Sequence, residues 1–177
     1  MIFRKCVLGA ATVVLAACTG ASPMTLGIPQ GDDPNDKPIE ADRFTLPQAP
    51  DRAQLLPFRV SIGAGAEYFV DPRSIEVSGD GVIRATIVAR RPQAAEAVTY
   101  EGLRCVARER RIYAYGRADN SWVAAKPSEW RRMPAVRTAD YASTLYSEFF
   151  CPRSTPIRSA REGIDALRRG GHSDASR

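Results

Sequence analysis

The sequence predicts an α+β fold: an antiparallel β-sheet packed against C-terminal helices, with one disulfide between the two layers. Strand-like segments follow one another from residue 58 to residue 124 without a helical crossover, which favours antiparallel pairing. After about residue 138 the spacing of apolar residues changes from two to the three or four of a helix. Two cysteines then remain to join the layers, Cys105 in a predicted strand and Cys151 at a predicted helix end.

The strands are predicted from alternating apolar and polar residues. The strongest is 82–90, and further strands are expected at 58–62, 67–70, 75–77, 98–108, 110–116 and 122–124, with Trp130 in a short last strand or irregular segment. Asp71-Pro72 is expected to turn the chain after the second strand. Asp80-Gly81 predicts a tight hairpin, because this pair tolerates positive φ.

Two helices are predicted near the C-terminus. Tyr141, Leu145 and Phe149 recur at helical spacing, with Thr138 as the expected N-cap and Cys151-Pro152 as the end. The second helix is expected to begin at Thr155-Pro156, a cap residue followed by proline at the first helical position, and to stop at Gly170-Gly171.

The first seventeen residues have the three parts of an export signal. Arg4-Lys5 is a positive start, residues 6–16 are apolar, and Leu15-Ala16-Ala17-Cys18 resembles the lipobox of bacterial lipoproteins. That resemblance implies that Cys18 is cut free and acylated, with Thr19 after it implying sorting to the outer membrane. The apolar stretch falls short of the roughly 20 residues that span a bilayer. The alternative is an ordinary signal peptide cut near Ala17.

Composition divides the rest of the chain. Residues 18–54 are predicted to be a flexible, proline-rich, acidic tether; residues 55–170 a globular domain; and residues 171–177 a disordered tail. The whole chain carries a net charge of +5, but residues 18–57 carry −3 and residues 58–177 carry +6. The basic residues are spread without a run of five or more, so the sequence does not indicate nucleic-acid binding.

Counting cysteines predicts one disulfide. Cys6 leaves with the signal and Cys18 is consumed by lipid, so Cys105 and Cys151 remain as a pair in an oxidising periplasm. A structural disulfide would attach the first helix to the sheet. The alternatives are a redox-active pair or a metal site, but the sequence has no CxxC and no further ligands beside these cysteines.

The sequence predicts neither an enzyme nor a cofactor or metal site. Its only histidine, His172, lies in the predicted tail, and HExxH, P-loop and GxGxxG motifs are missing. Acid pairs such as Glu101/Glu109 could serve a glycosidase, but pairs of this kind arise readily by chance. The candidate partner surface is aromatic and consists of Tyr113, Tyr115, Trp122 and Trp130; the alternative is that these residues fill the core.

Three segments together resemble a known family. They are 80–84, the run Thr99-Tyr100-Glu101-Gly102-Leu103-Arg104-Cys105, and Phe149-Phe150-Cys151, with Trp122 and Trp130 between the last two. The sequence over about residues 50–170 is similar to the CNP-one-like family of uncharacterised Gram-negative lipoproteins. That resemblance implies an envelope location and a disulfide, but no activity. A weaker resemblance is to surface adhesin protein E, which pairs an antiparallel sheet with a disulfide-tethered C-terminal helix.

The expected function is therefore that of a lipid-anchored envelope protein at the outer membrane, facing the periplasm. Its domain is expected to bind an envelope protein or peptidoglycan without catalysis. The alternative is a surface-exposed, adhesin-like lipoprotein, and an enzyme acting on envelope glycans comes third.

Overall fold

The computed structural model describes residues 44–60, 65–134 and 140–175. Within them, six strands form an antiparallel meander in sequence order, and a seventh pairs with the fifth strand. The strands are β1 Leu56–Phe58, β2 Glu67–Val77, β3 Val82–Arg90, β4 Ala97–Arg104, β5 Glu109–Gly116, β6 Trp122–Ala124 and β7 Arg131–Arg132. The predicted strand 82–90 is confirmed residue for residue.

Strand β2 differs from the prediction because it passes through Asp71-Pro72 without turning. The pairing with β3 jumps from Asp71 opposite Thr86 to Glu76 opposite Arg84, so the extra residues form a bulge. The Ser74 hydroxyl donates to the Asp71 carbonyl at 2.7 Å and accepts from the Thr86 N–H at 2.7 Å. The side chain thus replaces ladder hydrogen bonds, and Pro72, which has no N–H, is tolerated in the bulge.

The C-terminal helices begin later than predicted. Helix α1 is Tyr141–Thr144 and continues as the π-helical segment Leu145–Phe150. Its N-cap is Asp140, whose carboxylate accepts from the N–H groups of Ala142 and Ser143 at 3.2 and 3.0 Å. The predicted cap, Thr138, lies outside the described residues.

Helix α2 is Ala160–Arg169, after a 3₁₀ turn at Pro152–Ser154. Ser159 caps it and accepts from the Glu162 N–H at 3.3 Å, so Thr155-Pro156 lies ahead of the helix rather than in its first turn. The predicted stop is confirmed: Gly170 ends the helix in the left-handed conformation, with φ of 75°. No helix among the described residues is long and apolar enough to cross a membrane.

The main core lies between the helices and one face of the sheet. It buries alternate residues of β3, Ile83, Ala85 and Ile87, against Leu145 and Phe149 of the first helical segment. Leu167 and Ile157 extend this core beneath α2. The arrangement confirms the predicted α+β class, with an antiparallel sheet and C-terminal helices.

A disulfide joins the sheet to the first helical segment. Cys105 directly follows β4 and Cys151 directly follows the π-helical segment, with an S–S distance of 2.10 Å and a Cα–Cα distance of 5.3 Å. Both cysteines are buried in the main core. The predicted pairing is therefore present, and it attaches the helix end to the sheet.

The described part of the predicted tail, residues 171–175, folds back on the helices. The backbone N–H of His172 donates to the Glu148 carbonyl at 2.7 Å, and its Nε2 lies 3.0 Å from Glu162 Oε1. The left-handed turn at Gly170 reverses the chain and brings the imidazole to this carboxylate. This tertiary contact cannot be predicted from the composition of the segment.

Replacing both Cys105 and Cys151 with serine should lower the free energy of unfolding by about 4 kcal/mol. The disulfide spans a sequence separation of 46 residues, and opening a loop of that size releases the chain entropy of the unfolded state. Urea unfolding of the variant and of the parent protein measures the difference. Val106→Ser is the matched control, because this neighbouring side chain is 89% exposed and should shift stability by less than about 0.5 kcal/mol. Two reactive thiols in the unreduced parent protein would contradict the pairing.

Candidate functional site

The face of the sheet turned away from the helices carries an aromatic cluster. It consists of the buried Tyr100 and Tyr113, with Phe44, Trp122 and Trp130 packed against them. The Phe44 and Tyr113 rings lie 4.3 Å apart between centroids, and Trp130 meets Tyr113 edge-on at 6.2 Å. Ring contacts of this kind are typical of a packed hydrophobic layer.

The cluster contains only three of the four predicted surface aromatics. Tyr113 is buried in it and the two tryptophans are half-buried, whereas Tyr115 is 44% exposed and lies elsewhere. A register shift between β4 and β5 leaves Ile112 opposite Glu101 but Ala114 opposite Tyr100. The extra residue brings Tyr113 and Ala114 to the same face and turns Tyr115 to the helix-bearing side.

Gly102 makes room for the cluster. A Cβ atom at this position would lie 2.8 Å from the Tyr113 ring, closer than side chains approach, and 3.1 Å from Trp130, which is also a tight contact. The aromatic rings therefore pack directly over the backbone of β4. This contact gives the unusual glycine inside the Tyr-Glu-Gly-Leu-Arg-Cys run a structural reason.

Arginine side chains complete the aromatic layer. The Arg104 guanidinium lies 4.0 Å from the Trp130 ring centroid, and the Arg84 guanidinium lies 5.9 and 5.7 Å from the rings of Phe44 and Tyr113. Arg84 is 2% exposed and forms ion pairs with Asp80 and Glu76 at 3.4 and 3.8 Å. The charged groups of Arg84 and Arg104 therefore make their contacts within the domain.

Burial, together with the nearby Glu76 carboxylate, raises the pKa of Tyr100 above its usual value. The phenol therefore stays protonated and donates toward Glu76 at 3.5 Å. The Tyr100 hydroxyl therefore has a structural role in the aromatic cluster.

Residues 44–54, here called the strap, lie against the edge of the aromatic cluster. Phe44 packs on the rings, and the Trp122 indole N–H donates to the Pro47 carbonyl at 2.8 Å. Arg73 donates to the Ala49 carbonyl at 3.3 Å, and Arg52 forms an ion pair with Glu96 at 3.1 Å. The strap belongs to the stretch predicted as a tether, so packed structure extends into that stretch. The domain boundaries otherwise stay predictions.

Glu101 is the centre of a polar cluster on the helix-bearing side. It is 5% exposed and accepts from Arg110 Nε at 2.6 Å, from Arg110 Nη2 at 2.9 Å and from the Tyr141 hydroxyl at 2.7 Å. Thr99 donates to the same carboxylate, and Arg110 also contacts the Tyr141 hydroxyl. The cluster therefore ties β4, β5 and α1 together.

The groups around Glu101 hold their protons firmly. Burial, together with the Glu101 charge, raises the pKa of the Tyr141 hydroxyl, and the Tyr141 ring stacks on Tyr68 at 4.9 Å. Glu109, the partner weighed for Glu101 in a carboxylate pair, instead forms an ion pair with Arg104 at 3.4 Å. Both carboxylates thus belong to ion pairs that join parts of the fold.

An open cleft of about 500 Å³ lies beside Tyr115, between β5, the segment after β6 and the start of α1. Ile112 and Met133 contribute apolar surface to it, and Lys126, Arg131 and Arg132 contribute cations. Sequence reasoning missed this site because its basic residues come from separate positions and form no long run. The available signal was the pair Arg131–Arg132 shortly after Lys126, around Trp130.

No group of three His, Cys, Asp or Glu side chains is placed to hold a metal ion in the part of the chain that the structure describes. The chemistry that the cleft offers is recognition by cations, apolar contacts and the Tyr115 ring.

Replacing Gly102 with alanine should destabilise the domain by about 1–3 kcal/mol, because the new methyl group must displace the Tyr113 and Trp130 rings. Urea unfolding measures the loss, and tryptophan emission should shift to longer wavelength as the rings separate. Gly79→Ala is the matched control, since a Cβ there meets nothing within 4 Å. Equal stabilities for the two variants would contradict the close packing.

Replacing Glu101 with glutamine should lower the free energy of unfolding by about 3 kcal/mol, because it removes the charge that Arg110 and Tyr141 share. Thermal and urea unfolding measure this difference. Glu67→Gln removes one charge from an exposed position of β2 and should change stability by less than about 0.5 kcal/mol. A Glu101→Gln protein as stable as the Glu67→Gln control would show that the polar cluster does not hold the layers together.

Comparison with known proteins places this architecture in a family. The model of the CNP1-like family matches residues 34–168, more than half of the chain. The matched range includes the strap, β4 with its glycine, and both cysteines of the disulfide. A search of curated proteins and a search of solved structures found no match, so the weaker resemblance to protein E adhesins gains no support. The chain belongs to the CNP1-like family.

Proposed function

We propose that this protein is a lipid-anchored component of the Gram-negative cell envelope, and that its folded domain binds a partner without catalysing a reaction. The cleft beside Tyr115 carries this proposal, because it combines an exposed aromatic ring, apolar surface and three cations in one concave site. Concave sites of about 300–1,000 Å³ with a few polar groups are the usual form of ligand sites. The expected partner is an envelope protein or a peptidoglycan component.

The proposed location rests on the sequence before the domain and on the disulfide within it. Cys18 follows a basic and apolar segment in the pattern of a lipoprotein signal. The Cys105–Cys151 disulfide agrees with an oxidising compartment such as the periplasm. Two or more acyl chains on Cys18 would hold the protein stably at a membrane, and Thr19 favours the outer membrane.

Replacing Cys18 with serine should abolish incorporation of labelled palmitate into the protein, because no acyl chain can then be attached. Globomycin, which inhibits the lipoprotein signal peptidase, should cause the parent protein to accumulate as its precursor. Metabolic labelling with palmitate and immunoblotting measure the two effects. Cys6→Ser is the matched control, since it alters a cysteine inside the signal and should leave the palmitate labelling unchanged. Palmitate labelling of the Cys18→Ser protein equal to that of the parent would contradict the anchor.

Protease treatment of intact cells tests which way the domain faces. A periplasm-facing domain should be protected until the outer membrane is opened, and then degraded. Degradation on intact cells would instead support the surface-exposed, adhesin-like alternative.

A further inference from the structure

We propose that the cleft beside Tyr115 binds an acidic peptide segment of a partner protein. This inference rests on the proposed binding function and specifies the ligand that the same site takes. Three features carry it: cations without a partner among the described residues, sheet pairing that orders the two arginines, and apolar surface in the same cleft.

The charge balance of the cleft is positive. Lys126, Arg131 and Arg132 are exposed, and among the described residues their side chains form no ion pair or hydrogen bond. Two other charged residues of the lining are already engaged: Arg110 is bound to Glu101, and Asp140 caps α1. Of the described lining residues, this leaves three cations against the single carboxylate of Glu129.

The arginines are held by sheet pairing. Arg131 and Arg132 of β7 pair with Arg110 and Glu109 of β5, and the next N–H, of Met133, donates to the Arg108 carbonyl at 2.8 Å. A backbone already ordered before binding reduces the entropy lost on association. Guanidinium groups can form bidentate hydrogen bonds to carboxylates.

The remaining lining selects a peptide over a small inorganic anion. Ile112, Pro127 and Met133 provide apolar surface, and the Tyr115 ring lies beside them. A hydrated phosphate would leave these groups unused, whereas a peptide can place an apolar side chain among them and carboxylates on the cations. A volume of about 500 Å³ admits a few side chains of an extended segment.

The test is photocrosslinking in living cells with the full-length, lipidated chain. A benzophenone amino acid replaces Tyr115, and the matched control carries it at the exposed Val106, in the turn between β4 and β5. The Tyr115 position should capture a distinct protein whose crosslinked peptide, identified by mass spectrometry, contains two or more carboxylates. The Val106 position should not capture it.

Charge dependence is tested in the same background. Replacing Lys126, Arg131 and Arg132 together with glutamine should reduce the crosslinked product at least tenfold. A second triple variant, Arg161, Arg168 and Arg169 to glutamine, removes the same charge from exposed positions of α2 and should leave the product unchanged. Urea unfolding midpoints equal to that of the parent show that both variants are folded.

Direct binding completes the test. The captured peptide, made synthetically with a fluorescent label, should bind the purified full-length protein, and its Gln/Asn counterpart should bind at least tenfold more weakly. Inorganic phosphate, and vesicles of phosphatidylethanolamine and phosphatidylglycerol, are added as competitors. Neither should displace the labelled peptide from the protein.

Four results would overturn the inference: no product specific to Tyr115, an adduct with lipid or glycan, a captured peptide without carboxylates, or a yield unaffected by the cleft variant. If one of these results occurs while Cys18 is acylated and the domain is protected from protease on intact cells, the acidic-peptide proposal is wrong and the proposed envelope location stands.

Discussion

The fold depends on the alternation of side chains along β4 and the residue that follows it. Tyr100, Gly102 and Arg104 face the aromatic cluster, whereas Glu101, Leu103 and Cys105 face the helices. Glu101 binds Arg110 and Tyr141, Leu103 enters the main core, and Cys105 holds the end of the first helical segment. Because the period of a strand is two, a register slip of one residue would exchange these sets and break both layers. The most characteristic run of the sequence is thus the one on which both faces are built.

Much of this architecture is predictable from local sequence, because its signals are local. The alternation at 82–90 and the glycine stop at Gly170 are confirmed. The Cys105–Cys151 pairing is also confirmed, but it follows from counting the cysteines rather than from a local signal. The helix starts were not predictable, since several residues able to cap precede each apolar stripe and tertiary packing selects among them. The strand through Asp71-Pro72 was missed for a similar reason: a turn and a bulge use the same residues, and the Ser74 hydrogen bonds that decide between them are not local.

The candidate site was harder to predict because one bulge in β5 changes the face of the sheet to which the following side chains point. In a regular strand Tyr113 and Tyr115 would share a face, and with the tryptophans they would form one aromatic surface. The extra residue beside Tyr100 buries Tyr113 and leaves Tyr115 exposed at the cleft. The strap then adds Phe44 to the buried cluster, where the sequence indicated only a proline-rich tether. The predicted aromatic surface therefore divides into a packed layer and the exposed Tyr115 at the cleft.

The proposed lipid anchor and the binding strength expected of the cleft are compatible. Exposed ion pairs are worth only about 0–1 kcal/mol each, so three solvent-facing cations and some apolar contact would give weak binding in solution. Confining two partners to one membrane raises their effective concentration to the order of millimolar, at which weak contacts are populated. The proposed anchor would also make burial of the aromatic layer useful, because exposed apolar surface held close to lipid and other lipoproteins would associate without specificity. With the proposed anchor and ligand, affinity would depend on the carboxylates that meet the cations of the cleft.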